Sequence, residues 1–402
     1  MNRKIIFINR FYWPDESATA QLLSDLAEFL SAEEFEVTVV TGRRGYIRGN
    51  EKYRRTEKRN GVNILRLSSS GSGRYNLWLR LWDYFLFFGG LIRTLRKVCS
   101  KDAVIVTLSD PPLVHSWVRL FFRNLKTVHW SMDVFPEIVS ETTQKSWKRA
   151  LLRPFQIVRD RSLDTNQSVV CLSEEMAEFF GDKSCVPTVI YNWSPVEGMA
   201  APDREIEELR SQWTVSIDDC LVGYSGNLGH VHDAATARLG IEYALQEEIA
   251  AKFILIGGGK RFAEFDDLSE SRLESVKLVN FSPRGKTAES LSAVDIHWFS
   301  LYPQFSDLVF PSKFAGICSV GRPSIFVGDV ESALAKLISE HSLGLVVQSG
   351  DSRAFCDALD RLVSDKELRL QLGVNAHKFY AQHFSKQVGL ERWKQLLSAQ
   401  FS

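Results

Sequence analysis

The chain offers no net charge: its 402 residues carry 49 Lys and Arg against 49 Asp and Glu. With a near-neutral balance and no recognition module in view, the composition argues against a nucleic-acid partner. Cysteine is sparse, at 99, 171, 185, 220, 318 and 356, and no pair has C-x-x-C spacing. That excludes a zinc knuckle or a redox pair, and scattered free thiols fit a reducing cytosol. No apolar run approaches the ~20 residues that span a bilayer; the most apolar stretch is Tyr84 to Ile92. The apolar part of Met1 to Arg10 is too short for a secretory signal and reads as a first buried strand. The G-x-G-x-x-G fingerprint of nicotinamide enzymes is missing, as are internal repeats and low-complexity tracts.

What is present is a rhythm. Short runs rich in Val, Ile and Phe recur at Lys4–Ile8, 37–40, 62–67, 103–107, 125–130, 168–172 and 186–190. They continue at 220–224, 252–256, Val276–Val279, 294–299, 324–327 and 344–347. Continuous apolar runs of this length suit parallel strands covered on both faces. Between them lie amphipathic stretches. Leu22, Leu26 and Leu30 form one helical stripe, with Asp15 or Ser17 placed to cap it. The alternation predicts an α/β fold of doubly wound parallel sheets with right-handed crossovers. The rhythm breaks between Asn192 and Asp218, which marks a domain boundary. Charge divides there as well: residues 1–195 hold 28 cationic and 21 anionic side chains, a net +7, and the remainder a net −7. A basic first half favours an anionic surface or substrate.

Three places in the second half suit an anion. Gly223 to Gly229, reading Gly-Tyr-Ser-Gly-Asn-Leu-Gly, follows a strand and precedes a helix. It reads either as a phosphate-binding turn, where glycines admit close approach of the backbone, or as a tight strand–helix turn. Pro311-Ser312-Lys313 opens a helical stretch, with Ser312 as N-cap and Lys313 in the first turn. A cation there opposes the helix dipole, and a bound diphosphate would relieve the conflict. Gly257-Gly258-Gly259 ends a strand and suits a sugar or base edge, or a flexible turn, with Lys260 and Arg261 solvated. His230 and His232 lack a third ligand nearby, so no metal site is expected. Glu174 and Glu175 read as the first turn of a helix.

Together these residues resemble the retaining GT-B glycosyltransferases of family four, over essentially the whole chain. Phe11-Tyr12-Trp13-Pro14 looks like the family's acceptor-side entry. Asp110-Pro111-Pro112 and Asp133-Val134-Phe135-Pro136-Glu137 resemble its central acceptor-domain loops, and Asn192-Trp193 the end of the first domain. Gly226-Asn227-Leu228-Gly229 resembles the donor diphosphate loop, and Phe281 with Ser282 the base-contacting segment. Pro311-Ser312-Lys313 followed by Gly321-Arg322-Pro323 is similar to the subgroup that builds bacterial colanic acid and O-antigen, the fucosyl and N-acetylfucosaminyl transferases. Many members carry two glutamates where Leu308 and Gly316 stand here, and Asp307 is the neighbouring substitute for the first.

The resemblance implies two Rossmann-like domains facing across a cleft. These are an acceptor domain at 1–195, a donor domain at 196–377, and a terminal helix at 378–402 returning to the first. It implies sugar transfer, with retention and no obligatory metal or other cofactor, from a nucleotide-sugar to a polyprenyl-diphosphate-linked or saccharide acceptor. Lys313 and the backbone of Asn227, Leu228 and Gly229 would take the leaving diphosphate, with Gly257, Gly258, Phe281, Ser282, Asp307 and Ser312 around the donor. Asp133 would position or deprotonate the acceptor, with Asp15, Glu16 and Asp110 beside it, or would instead cap a helix beginning after Pro136. Trp78, Trp82, Phe85 and Ile92, flanked by Arg74, Arg80, Arg93, Arg96 and Lys97, read either as the core side of an ordinary Rossmann helix with solvated arginines or as a face for an anionic membrane surface, and 117–123 repeats the mixture. This gives a cytoplasmic enzyme, peripheral on the inner face of the plasma membrane. The competing expectations are a nucleotide-sugar epimerase on the same fold and a non-catalytic, membrane-docked partner of another transferase.

Overall fold

Strand propensity and two-sided burial set the architecture. The computed structural model describes residues 3–15, 17–45, 52–68, 77–143, 146–163, 168–181, 185–194, 196, 198, 200–281 and 286–401. The chain divides into two compact units, Met1–Tyr191 with Gly389–Ser402, and Asn192–Val388.

The first unit holds β1 (Lys4–Ile8), β2 (Glu36–Gly42), β3 (Thr56–Arg59), β4 (Val62–Leu67), β5 (Val104–Leu108), β6 (Lys126–Trp130), β7 (Ser168–Cys171) and β8 (Val186–Val189). They form one sheet in the order β3-β4-β2-β1-β5-β6-β7-β8. All pairs are parallel except β3 with β4. The second unit holds β9 (Cys220–Asn227), β10 (Ala251–Gly258), β11 (Val276–Val279), β12 (Ile296–Ser300), β13 (Ser324–Gly328) and β14 (Gly344–Gln348). Its sheet is wholly parallel, in the order β11-β10-β9-β12-β13-β14. Helices connect the successive parallel strands of each sheet except from β2 to β4, where the β3 edge strand intervenes, so each unit is Rossmann-like.

Side-chain alternation explains why the strands read as unbroken apolar runs. In β9 and β10, Val222, Tyr224, Phe253 and Leu255 join one buried cluster with Trp298 and Phe355. Their neighbours Leu221, Ile254 and Ile256 join another with Val294. Both faces are thus covered, and both must be apolar. The helix Ala18–Ala32 buries Leu22, Leu26 and Leu30 as its stripe demands.

Every apolar run became a strand, with ends moved by at most three residues. The strand without such a run, β3, has the sequence Thr-Glu-Lys-Arg with alternating exposure; it is an antiparallel edge and needs no apolar content. Other local expectations are corrected. Ser17 is the N-cap of Ala18–Ala32, but its side chain makes no capping bond. Asp15 instead accepts the Ser17 N–H at 2.8 Å. Ser312 likewise makes no side-chain cap, because its backbone is already helical (φ −57°, ψ −25°). The terminal helix expected over 378–402 is not continuous: Lys366–Phe379 runs into a π-helical turn, Tyr380–Phe384, breaks at extended Ser385, and resumes as Lys386–Ala399. No helix among the described residues is long and apolar enough to cross a membrane.

Candidate functional site

In the second unit the chain leaves β9 toward β10 and β11 on one side, and β12 toward β13 and β14 on the other. β9 and β12 are therefore the switch point, where loops diverge and leave a crevice at the carboxyl ends. β9 and β10 pair right through their glycines, Gly257 opposite Gly226 and Gly258 opposite Asn227. A Cβ on Gly257 (φ +141°) would stand 2.1 Å from the Gly226 carbonyl oxygen, and one on Gly259 (φ +126°) 2.4 Å from that of Leu228. Only glycine permits this approach. Leu228 N–H donates to Gly258 O at 2.7 Å, and Arg261 N–H to Leu228 O at 3.1 Å. The two loops are thus joined along their backbones, and the glycine triplet is neither a flexible turn nor free.

That join corrects two expectations. Leu228 is fully buried and its N–H is taken by Gly258, so it has none to give a phosphate. The following helix, Ala234–Gln246, begins only after Asp233, whose carboxylate accepts from Thr236 N–H at 3.1 Å and from the Thr236 and Ser349 hydroxyls. An acid already fills that helix N-terminus, so it is not the anion site.

Lys313 supplies the positive charge instead. It is the first residue of the helix Lys313–Ser319, and its side chain turns back across the end of β9. Its Nζ donates to the Tyr224 hydroxyl and stands 4.1 Å from the centre of that ring. A Cβ on Gly226 would lie 3.6 Å from Lys313 Cε and 3.9 Å from Nζ. Tyr224 in turn donates to Asn227 O at 3.0 Å. Loss of hydration pulls the Lys313 pKa down to about 7 from 10.5. Phe281, at the carboxyl end of β11, is exposed, and its ring edge lies 3.3 Å from where a Gly258 Cβ would sit. Ser282 lies outside the described residues. The structure therefore brings Gly226, Asn227, Gly257, Gly258, Phe281 and Lys313 to one end of one sheet. Buried hydroxyls of Ser225 and Ser300, at the ends of β9 and β12, have no hydrogen-bond partner there.

Two further groups at this end carry no functional mark in the sequence. Tyr224 lies inside the stretch Gly223 to Gly229 and reads as core. Arg261, expected to be solvated, donates to His232 O at 3.0 Å, to the Tyr302 hydroxyl, and to Glu264 at 2.7 Å. It is a second cation beside the 228–232 loop; Lys260 is exposed. His232 donates through Nδ1 to Ser300 O at 2.6 Å, and burial together with Lys313 lowers its pKa to about 4. It is neutral near pH 7. Among the described residues no group of three or more His, Cys, Asp or Glu is placed to hold a metal. Ser312 is exposed and Asp307 half-buried. Leu308 is buried; a Cβ on Gly316 would meet Leu291 at 3.2 Å, so this position is packed against protein rather than open to a ligand.

In the first unit the switch point lies between β1 and β5. Arg10, just past β1, binds Asp110, just past β5, at 3.0 and 3.1 Å, and its guanidinium lies 4.5 Å from the Phe11 ring centre. Asp133 follows β6. Its surface is open, yet protein crowds it closely, and that desolvation with the charge of Asp110 pushes its pKa up to about 6. It does not cap the helix Glu137–Glu141, whose N-cap is Pro136. A cavity of about 20 Å³, room for about one water, is lined by Asp133, Ser109, Ser131, His115, His129 and Arg159. Thr107 Oγ1 lies 3.2 Å from Nδ1 of both histidines. Burial lowers both of their pKa values. Asp15 is buried around its bond to Ser17, and Glu16 lies outside the described residues.

No protein-family model and no curated protein matches the chain. Solved structures do. The chain is similar to a sucrose-phosphate synthase from Thermosynechococcus elongatus at 16% identity, with 100% of this chain and 99% of that one covered and a TM-score of 0.76. It is similar to HepE of Anabaena, solved with UDP-glucose, at 15% identity over 98% and 99% of the two chains and TM-score 0.70. WaaG, a glycosyltransferase involved in lipopolysaccharide biosynthesis, matches at 13% identity over 98% and 99%, TM-score 0.67. At such identities the likeness establishes the fold: α/β, with two Rossmann-like parallel-sheet units, the GT-B architecture.

Proposed function

We propose that the protein is a glycosyltransferase moving a sugar from a nucleotide-sugar to a lipid-linked or saccharide acceptor in bacterial surface-polysaccharide assembly, with retention. The single observation that carries this reading is the Lys313 ammonium held against the Gly226 turn at the switch point of the second sheet. A cation depleted of water, beside a backbone that only glycines allow, suits the charge gathering on a departing diphosphate. Asn227, Gly229 and Arg261 complete this side, and Phe281 suits stacking on the base. Leu228 shapes the loop without donating.

In the proposed step the bond between the sugar's anomeric carbon and the diphosphate oxygen breaks. A bond to the acceptor oxygen forms on the same face, and the acceptor proton passes to the departing phosphate. Asp133 orients the acceptor hydroxyl. The proposal includes no resident metal, since Lys313 provides the positive charge. The helix Leu77–Val98 and the segment 117–123 would lie near a membrane surface presenting a polyprenyl-linked acceptor.

HepE was solved with UDP-glucose, so UDP-sugars lead the test, followed by GDP- and dTDP-sugars. One of these raises the melting temperature of the wild-type protein, because only the folded state binds it. Lys313→Ala removes that shift and lowers turnover by about 10²–10³. Unchanged donor affinity and turnover in Lys313→Ala would remove the lysine from the mechanism. Conversion of the donor to an isomer without acceptor would identify an epimerase, and donor binding without any turnover a non-catalytic partner.

A further inference from the structure

The helix Ser146–Ser162 turns its apolar stripe outward. Trp147, Leu151, Phe155 and Val158 are 60%, 61%, 45% and 49% exposed. At 3.6 residues per turn they fall within an arc of about 80°. A helix covering a sheet normally buries such a stripe. Polar contacts along its other side hold it instead: Arg159 is buried and paired with Glu137 at 2.8 Å, Ser162 meets Ser116 at 2.9 Å, and Arg149 donates to Thr143 O at 3.0 Å and pairs with Glu141 at 3.8 Å. The polar side carries exposed Arg149 and Arg153. By sequence the helix has five cations and one carboxylate, Asp160.

Neighbouring helices continue the pattern. The helix Val114–Phe121, reached through the Ser116–Ser162 contact, exposes Trp117, Leu120 and Phe121. Trp117 stacks on Phe88 of Leu77–Val98 at 5.0 Å, and that helix exposes Trp82 and Phe85. Exposed aromatics across three adjacent helices exceed the scattered surface hydrophobics of ordinary folds. The charge decides the occupant. Arg161, exposed at the edge of the stripe, and Arg123, exposed just after Phe121, complement an anionic lipid surface that also accepts the apolar stripe.

We propose that the helix Ser146–Ser162 is an interfacial membrane anchor that inserts Leu151, Phe155 and Val158 into the headgroup layer of an anionic bilayer. The proposal extends the membrane part of the functional reading to a third helix and is independent of the donor chemistry.

The test uses the full-length protein with vesicles of phosphatidylcholine alone or mixed with phosphatidylglycerol. Wild type floats with the anionic vesicles, less so as salt is raised. Leu151→Glu with Phe155→Glu weakens binding at least about tenfold, since two apolar side chains no longer leave water. Both positions are exposed, so melting temperature and circular dichroism stay at wild-type values. A second protein, Trp82→Glu with Phe85→Glu, separates the helices. If wild type floats, this protein loses binding and the Leu151/Phe155 variant does not, the membrane reading stands and the anchor is overturned. If wild type binds neither vesicle, both are overturned. A concentration-dependent dimer in sedimentation velocity, abolished by Leu151→Glu with Phe155→Glu, would assign the stripe to self-association and overturn the proposal.

Discussion

A lysine ammonium beside a tyrosine face and a glycine turn has few water molecules to hydrate it, and Lys313 shows the consequence as a pKa near 7. The linkage to stability has a definite sign. Between about pH 7 and 10.5 the unfolded chain keeps the Lys313 proton while the folded protein has lost it. The unfolded state binds more protons, so stability from this group rises with pH across that window. In Lys313→Met the rise should be absent and the melting temperature at pH 7 higher than wild type, measured by thermal scans from neutral to alkaline pH. A wild-type profile that Lys313→Met leaves unaltered would show that the ammonium is better hydrated than its packing indicates. Lys313 was legible in the sequence because a cation in a helix's first turn opposes the local dipole. Tyr224 and Arg261 were not, because their roles arise only when β9, β10 and the Lys313 helix meet. The role of Leu228 is hidden for the same reason: its N–H is taken by Gly258, thirty residues on.

Elements show a different balance of legibility. Buried parallel strands announce themselves, since both faces must be apolar, whereas the edge strand Thr56–Arg59 carries no such mark. The break at Ser385 inside the last helical stretch also escaped, being a backbone event without proline or glycine. The glycines at the ends of β9 and β10 were legible as special, but the pairing of one turn with the other was not. Gly257 and Gly350 separate the two reasons for glycine. Both have positive φ, but a Cβ on Gly350 meets nothing within 4 Å, while one on Gly257 meets the Gly226 carbonyl at 2.1 Å. Gly350→Ala therefore costs only the backbone strain, about 1 kcal/mol. Gly257→Ala adds a steric conflict that must part the two loops, and about 3 kcal/mol or more is expected. Urea unfolding of the two variants checks the order, and Gly257→Ala should also lose the donor-induced thermal shift while Gly350→Ala retains it. Equal costs would mean that the loops separate freely and that the glycines are not what holds the turn beneath Lys313.

At the scale of the molecule, the first unit is discontinuous: its last piece, Gly389–Ser402, arrives after the whole second unit has been threaded. Nothing in the residue pattern alone announces which partner this piece takes. The structure gives it a definite place. Trp393 is fully buried and its ring centre lies 4.6 Å from that of Trp130, the last residue of β6, three residues before Asp133. Leu390 and Leu397 are buried on the same helix, and Lys394 pairs with Glu33 at 2.6 Å. Sheet order brings β6 next to β5, so the wall behind the Asp110 and Asp133 loops is completed by residues from the chain's end. Trp393→Ala should cost about 3–5 kcal/mol, the range for emptying a large buried aromatic site. The loss belongs to the first unit. The nucleotide-sugar thermal shift, which depends on the second, should persist at temperatures where both units remain folded. Hydrogen exchange of the full-length variant distinguishes the cases: faster exchange confined to β5, β6 and the adjoining loops is expected. Equal acceleration in β9 and β12 would mean that the two units unfold as one, and that the last helix stabilises the whole chain rather than the sheet it packs on.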